Sequence, residues 1–186
     1  MSTLTPIEIQ RRIDLLSTQI IGNHLDKVIG EIKDLATKFN ITKDKKEKSP
    51  FRNVLTVATE PGSSLEVIKN YIRYQVGRSG SSKIWKDDNG AFAKALVEAL
   101  DQLKGDTATI IKKIEETLLQ IYEKDKSNKS NQESGETDQQ AITDYFNASV
   151  RQKLEKELHL KLAQLYLGYL AREHTALLAT NSQQKV

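Results

Sequence analysis

A long run of apolar residues at helical spacing, near the start of the chain, constrains the fold more than any other feature. Its members recur mostly three or four positions apart: Ile9, Ile13, Leu16, Ile20, Leu25, Val28, Ile32, Leu35 and Phe39. Thr5 and Glu8 form a capping box around Pro6, which suits the first position of a helix. Such a helix is roughly 50 Å long, so a single short partner cannot cover its apolar stripe. We expect it to pack along another long helix or another chain.

Two shorter helices are predicted next. The apolar segment from Phe51 to Ala58 favours a short helix, because no second strand candidate is available to pair with a strand. Ser63 and Glu66 form another capping box, so we expect a helix over about residues 64–76 that ends at Gly77.

A helical hairpin is predicted in the middle of the chain. Asp88 or Asn89 can cap a helix that Gly105 ends, and Asp106 can cap the helix that follows. Because the link between the two helices is tight, we expect them to lie antiparallel.

The last third of the chain combines a polar segment with a long helical pattern. Residues 125–138 have no aliphatic or aromatic side chain and predict a flexible linker. Residues 139–180 carry apolar residues at helical spacing and predict a long C-terminal helix that packs on a bundle formed by residues 1–124. The sequence therefore predicts an all-α fold, a helical bundle of five or six helices with long N- and C-terminal helices.

The composition excludes several chemistries. The chain of 186 residues has no cysteine, which excludes disulfides, thiolate metal sites and cysteine nucleophiles. The first residues carry charge and lack an apolar run, and no window approaches the roughly 18 apolar residues of a membrane span. We therefore expect a cytoplasmic protein without a membrane partner. The net charge of +3 is too small to imply a nucleic-acid partner by itself.

No catalytic or metal-binding motif is visible in the sequence. Among the three histidines, His24, His159 and His174, no pair has the spacing that brings two imidazoles to one helical face. Asp87 and Asp88 could hold a hard cation, but adjacent carboxylates before a helix more often cap it and interact with its dipole. Nucleophile-elbow and P-loop motifs are absent as well. We therefore expect a protein that is not an enzyme and has no cofactor or metal.

Basic charge is concentrated in the segment 69–94. It holds six basic and two acidic residues, a local balance of +4 in a chain of net charge +3. Basic side chains can bind phosphates, glycine and serine let the backbone approach them, and aromatic rings can stack on bases. The candidate nucleic-acid-binding residues are Lys69, Arg73, Arg78, Lys83 and Lys86, and the candidate stacking residues are Tyr74 and Trp85. The alternative interpretation is a solvated helix face, with Trp85 anchoring the loop to the core.

Three stretches of the chain carry a family resemblance. They are FRNVLTVATEPGSSLEVIKNYIRYQVGR at 51–78, FAKALVEALDQL at 92–103 after the lone tryptophan, and LYLGYLAREHTALLA at 165–179. Together they resemble the small helical subunit of type III CRISPR effector complexes, the Csm/Cmr class.

This resemblance implies a non-catalytic, all-α subunit of an antiviral ribonucleoprotein, present in more than one copy. Such a subunit contacts the backbone of guide and target RNA through basic side chains, and neighbouring subunits through apolar faces. Arg73 and Arg78 match the basic helix end of the family, whereas Lys69, Lys83 and Lys86 are chosen on charge alone.

The sequence leaves two other interpretations open. The long helices could form a scaffold or homo-oligomeric interaction protein that does not bind nucleic acid. An enzyme with an unrecognised site would require a pocket in which His, Asp or Glu side chains converge.

Overall fold

The computed structural model describes the backbone of residues 4–43, 49–128 and 132–183. It describes side chains at residues 4–43, 49–123 and 138–180. Every regular element in these ranges is a helix. The helices are α1 (Pro6–Phe39), α2 (Arg52–Thr59), α3 (Leu65–Gly77), α4 (Lys83–Asn128), α5 (Gln132–Tyr145) and α6 (Ala148–Gln183). The predicted all-α fold with long first and last helices is confirmed.

Helix α1 begins with the predicted capping box and buries five of the nine residues of the predicted stripe, while the other four are half-buried. The Thr5 hydroxyl accepts a hydrogen bond from the Glu8 N–H at 3.3 Å, and the Glu8 carboxylate accepts one from the Thr5 N–H at 2.8 Å. Hydrogen bonds from the backbone and hydroxyl of Thr5 hold the pKa of Glu8 below its ordinary value. Ile13 near the start of the helix and Ile32 near its end are both buried. The helix is thus amphipathic along most of its length.

The described residues divide into two compact units. The first unit consists of Met1–His24 and Gly105–Leu158, and the second consists of Leu25–Lys104 and His159–Val186. The boundaries between the units fall inside α1, α4 and α6.

The first unit has an apolar core and polar contacts between its helices. The buried core includes Ile9, Ile13, Ile110, Ile114, Leu118, Ile142, Phe146, Leu154 and Leu158. His24 on α1 places Nε2 at 2.9 Å from a carboxylate oxygen of Asp106 on α4. Arg151 on α6 donates to the carboxylate of Glu115 on α4 at 2.6 Å. These contacts tie α4 to both neighbouring helices within the unit.

An aromatic cluster lies at the centre of the second unit. The Phe51 ring packs edge-on against Trp85 at 5.7 Å and His174 at 5.5 Å, and is tilted against Phe92 at 5.4 Å. Phe92 also contacts Trp85 at 5.4 Å and Phe39 at 5.5 Å. Burial lowers the pKa of His174, and neither ring nitrogen has a hydrogen-bond partner in the described part of the chain. His174 is therefore an uncharged core side chain at neutral pH.

Helix α4 differs from the predicted hairpin. It passes through Gly105 and Asp106 without a turn, and non-helical backbone angles occur instead at positions 87–90. The predicted helix end and helix start at 105–106 are wrong, because one glycine weakens a helix by only about 1 kcal/mol. Asp106, moreover, does not cap a new helix, and its carboxylate contacts His24.

A left-handed turn interrupts α4 close to its start. Asp88, Asn89 and Gly90 have φ angles of 50°, 55° and 75°, a region that these residue types tolerate best. A Cβ atom on Gly90 would lie 3.0 Å from Cγ1 of Val76, so the positive φ angle and the close approach of this turn to α3 both favour glycine. The predicted cap at Asp88 or Asn89 is thus replaced by a turn between two helical segments, the first of which begins at Lys83.

The predicted flexible linker at 125–138 is helical at both of its described ends. Helix α4 continues to Asn128 and α5 begins at Gln132, while residues 129–131 lie outside the described residues. Glutamine, glutamate and lysine have favourable helix propensity, so a polar segment needs no apolar stripe to adopt helical backbone angles.

The predicted single C-terminal helix at 139–180 is divided. Helix α5 ends at Tyr145 and α6 begins at Ala148. The side-chain oxygen of Asn147 accepts a hydrogen bond from the Val150 N–H at 3.0 Å, which satisfies one of the donors that the start of a helix leaves unpaired.

Alanine substitutions at two glycines of α4 test its course. Gly105→Ala should raise the free energy of unfolding by about 0.5–1 kcal/mol, because Gly105 is helical and nothing lies within 4 Å of an added Cβ. Gly90→Ala should lower it by about 1–3 kcal/mol through the positive φ and the contact with Val76. Urea unfolding monitored by circular dichroism measures both changes. If Gly105→Ala instead lowered the free energy of unfolding, the result would contradict a continuous helix at Gly105 and support the predicted hairpin.

Candidate nucleic-acid interface

Helix α3 carries the first part of the basic segment. Its cap is Ser64, whose hydroxyl accepts a hydrogen bond from the Val67 N–H at 3.3 Å, so the prediction of Ser63 as the cap is wrong by one residue. Ile68 and Ile72 are fully buried and define the inward face of the helix. The two basic residues of the helix are four positions apart and therefore lie next to each other.

Lys69 is buried and paired within the protein. Its side chain is only 11% exposed, and Nζ donates to the Asp101 carboxylate at 2.9 Å and to the Glu66 carboxylate. The hydrogen bonds to Glu66 and Asp101 raise the pKa of Lys69 above its ordinary value. The structure thus gives Lys69 a role in joining α3 to α4, which corrects its predicted contact with nucleic acid.

Trp85 is a core residue. It is 1% exposed and packs against the rings of both Phe51 and Phe92 in the aromatic cluster. A ring enclosed in this way has no face on which a base could stack, which corrects the predicted stacking role. The position of Trp85 instead agrees with the alternative interpretation, in which it anchors the loop to the core.

Tyr74 and Arg78 occupy one exposed face of α3. Tyr74 is 55% exposed, and its ring lies 5.9 Å from that of Tyr71. The Arg78 guanidinium lies 6.0 Å from the centroid of the Tyr74 ring, at the outer limit of a cation–π contact. Of the two predicted stacking residues, Tyr74 alone therefore has an accessible ring.

A cleft lies between α3 and the second segment of α4. Its volume is about 440 Å³. It is lined by Arg73, Val76, Asn89, Gly90, Ala93, Lys94, Val97 and Glu98. The contacts Lys69–Asp101 and Val76–Gly90 show that the two helices run antiparallel along the cleft. The left-handed turn forms one end of it.

Arg73 and Lys94 bring positive charge to the cleft from the two helices. Both side chains are exposed, and within the described ranges neither forms an ion pair. Glu98 is the only acidic residue of the lining. Lys94 was not among the predicted site residues, because nothing in the sequence shows that α3 and α4 run antiparallel and place it opposite Arg73.

Lys83 and Lys86 lie on the first segment of α4, and both are exposed. The neighbouring Asp87 pairs with a different cation, since its carboxylate oxygen lies 3.5 Å from Nζ of Lys43. Within the part of the chain that the structure describes, Lys86 has no acidic partner. Four predicted cations, Arg73, Arg78, Lys83 and Lys86, are therefore accessible from solvent.

The structure offers no metal centre or membrane-spanning helix in its described ranges. No group of three or more His, Asp or Glu side chains there has the geometry to hold a metal ion. None of the helices in these ranges combines the length and apolar character needed to cross a bilayer.

Comparisons of the chain with protein-family models, curated proteins and solved structures find no match.

Replacement of Lys69 tests its structural role. Lys69→Met should lower the free energy of unfolding by about 1–2 kcal/mol, a value limited by the exposure of the two carboxylates. Because pairing raises the pKa of Lys69, its contribution is complete below the ordinary lysine pKa of about 10.4 and is lost as the pH rises through the raised value. The difference between wild type and variant should therefore shrink above that pH.

Lys86→Met is the matched control, because Lys86 is exposed and no ion pair engages it among the described residues. Denaturant unfolding between pH 8 and pH 11 measures both variants. Equal effects of the two substitutions would mean that the contacts of Lys69 contribute nothing specific.

Proposed function

We propose that this protein binds the RNA backbone as a non-catalytic assembly subunit of an RNA-guided ribonucleoprotein effector of the type III CRISPR class. The observation that carries the proposal is the pair Arg73 and Lys94, two cations without acidic partners in the described ranges that line one cleft from opposite helices. Arg78 after α3, and Lys83 and Lys86 on the first segment of α4, add further exposed positive charge. Phosphate groups are the ligands that such a set of cations suits.

The chemistry of the described residues supports a binding role over a catalytic one. The cleft has one carboxylate, Glu98, and no histidine. General acid–base chemistry needs positioned groups of suitable pKa. Of the histidines, His174 is enclosed in the aromatic cluster and the Nε2 atom of His159 lies 2.8 Å from the carbonyl oxygen of Leu100. Neither lines the cleft.

Exposed apolar residues support contacts with other subunits or with copies of this chain. Ile7 is 67% and Leu15 is 73% exposed, and their spacing of eight residues separates them by about 80° around the axis of α1. Large apolar side chains of this exposure can contribute to an interaction surface when further apolar groups surround them. The same observation favours the second candidate function, a helical scaffold or homo-oligomeric interaction protein that does not bind nucleic acid.

Salt dependence of RNA binding tests the proposed cations. Wild-type protein should bind a short single-stranded RNA with an affinity that falls steeply between about 50 and 200 mM salt. The triple variant Arg73→Gln, Arg78→Gln and Lys86→Gln should lower the slope of log affinity against log salt by about 2, since each lost contact removes about 0.7. Fluorescence anisotropy measures the affinities.

The control for this experiment removes the same charge elsewhere. Lys33, Lys113 and Lys161 are exposed and have no ion pair in the described ranges. Their triple replacement by Gln should leave the slope close to that of the wild type. If both triple variants change the slope equally, binding reflects total charge, and the proposed surface is wrong.

Purification from the native host tests membership of an effector. Tagged protein recovered at low salt should carry short guide RNAs of a common length and a fixed set of larger proteins. Nuclease treatment should release the RNA, and mass spectrometry and RNA sequencing identify both. Recovery of copies of this chain alone, without RNA, would instead favour the homo-oligomeric scaffold.

A further inference from the structure

We propose that the cleft between α3 and α4 receives one unstacked nucleotide of single-stranded RNA, with the base on the cleft floor and the phosphate at Arg73 and Lys94. This inference rests on the proposed function, because it identifies which form of RNA the site takes. It also goes further, since backbone binding alone requires no pocket for a base.

The floor of the cleft suits a planar apolar ligand. Val76 comes from α3, and Ala93 and Val97 from α4, and these three apolar side chains of the lining are called the floor of the cleft. The volume of about 440 Å³ falls within the range of about 300–1,000 Å³ that is typical of small-molecule sites. Exposed cations that bind phosphates along a surface need no such apolar recess, which indicates that part of the ligand is a ring.

The charge of the cleft suits one phosphodiester. Arg73 and Lys94 contribute two positive charges and Glu98 one negative charge, a balance of +1. Arg73 and Glu98 line the same cleft, yet neither forms an ion pair in the described part of the chain. Their charges are thus not neutralised by each other, and a guanidinium can bind a phosphate through two parallel hydrogen bonds.

Polar groups at the cleft can contact the edge of a base. Asn89 presents both a donor and an acceptor, and the Glu98 carboxylate accepts hydrogen bonds. An apolar floor with a few such groups resembles the way in which proteins hold a base that has left its stack. In an A-form duplex each base is stacked and paired, so its face cannot reach the floor of the cleft. The site therefore favours single-stranded RNA.

A filled cleft provides the test. Val97→Trp in the full-length chain occupies the floor while retaining Arg73 and Lys94. We expect it to weaken binding of a single-stranded RNA of ten nucleotides about tenfold, because the base loses its apolar contacts with the cleft, without a change in the salt slope. Val67→Trp is the matched control, since Val67 is exposed on α3 and does not line the cleft.

A fluorescent base reports its own environment. An RNA with a single 2-aminopurine should brighten on binding to the wild type and to Val67→Trp, because the base leaves its stacked neighbours, but not on binding to Val97→Trp. In calorimetry with the wild type, adenosine monophosphate should bind and ribose 5-phosphate should bind at least tenfold more weakly, because only the former carries a base. This second measurement does not depend on the folding of a variant.

The outcomes separate this inference from the proposed function. Suppose that RNA binds with the expected salt slope, but that 2-aminopurine does not brighten and that adenosine monophosphate and ribose 5-phosphate bind equally. The cleft inference is then overturned, and backbone binding stands. If RNA does not bind while adenosine monophosphate does, the cleft holds a nucleotide and the proposed function is wrong. If neither binds, both are overturned.

Discussion

The packing of Phe51 against Trp85 and Phe92 holds the arrangement on which the cleft depends. Trp85 lies before the left-handed turn of α4 and Phe92 after it, and their rings are 5.4 Å apart. The aromatic cluster thus fixes both helical segments that flank the turn. Three consecutive residues in left-handed conformations are unfavourable on their own, so they persist where the surrounding packing determines them. The turn then places Gly90 against Val76 and closes one end of the cleft.

The all-helical character and the long first and last helices could be predicted because apolar spacing reports them directly. Helix ends were less predictable, since short-range signals compete with contacts between distant residues. Gly105 and Asp106 form a plausible end and start of two helices, yet α4 continues through them and Asp106 contacts His24, 82 positions earlier in the sequence. The break occurs instead at 87–90, where Asp, Asn and Gly tolerate positive φ angles.

The candidate site was predictable as a basic segment but not residue by residue. Lys69 and Arg73 are equivalent in the sequence, both basic and on the same helix. The carboxylate that distinguishes them belongs to Asp101, 32 positions from Lys69. Trp85 is likewise ambiguous, because an aromatic residue beside basic residues can stack on a base or fill a core. Only the surrounding rings of the aromatic cluster decide between these roles.

Arg73 of α3 and Arg78, the residue that follows the helix, lie on two different sides of its axis, and this constrains any ligand that contacts both. At about 100° per residue, Arg73 and Arg78 are separated by roughly 140° around the axis. Arg73 lines the cleft, whereas Arg78 lies over the ring of Tyr74. A chain that touches both must pass around the C-terminal end of α3, near Gly77. A flexible single strand can follow such a path over a few nucleotides, whereas a stiff duplex would contact one side only, so the geometry of α3 and the form of the cleft favour the same class of ligand.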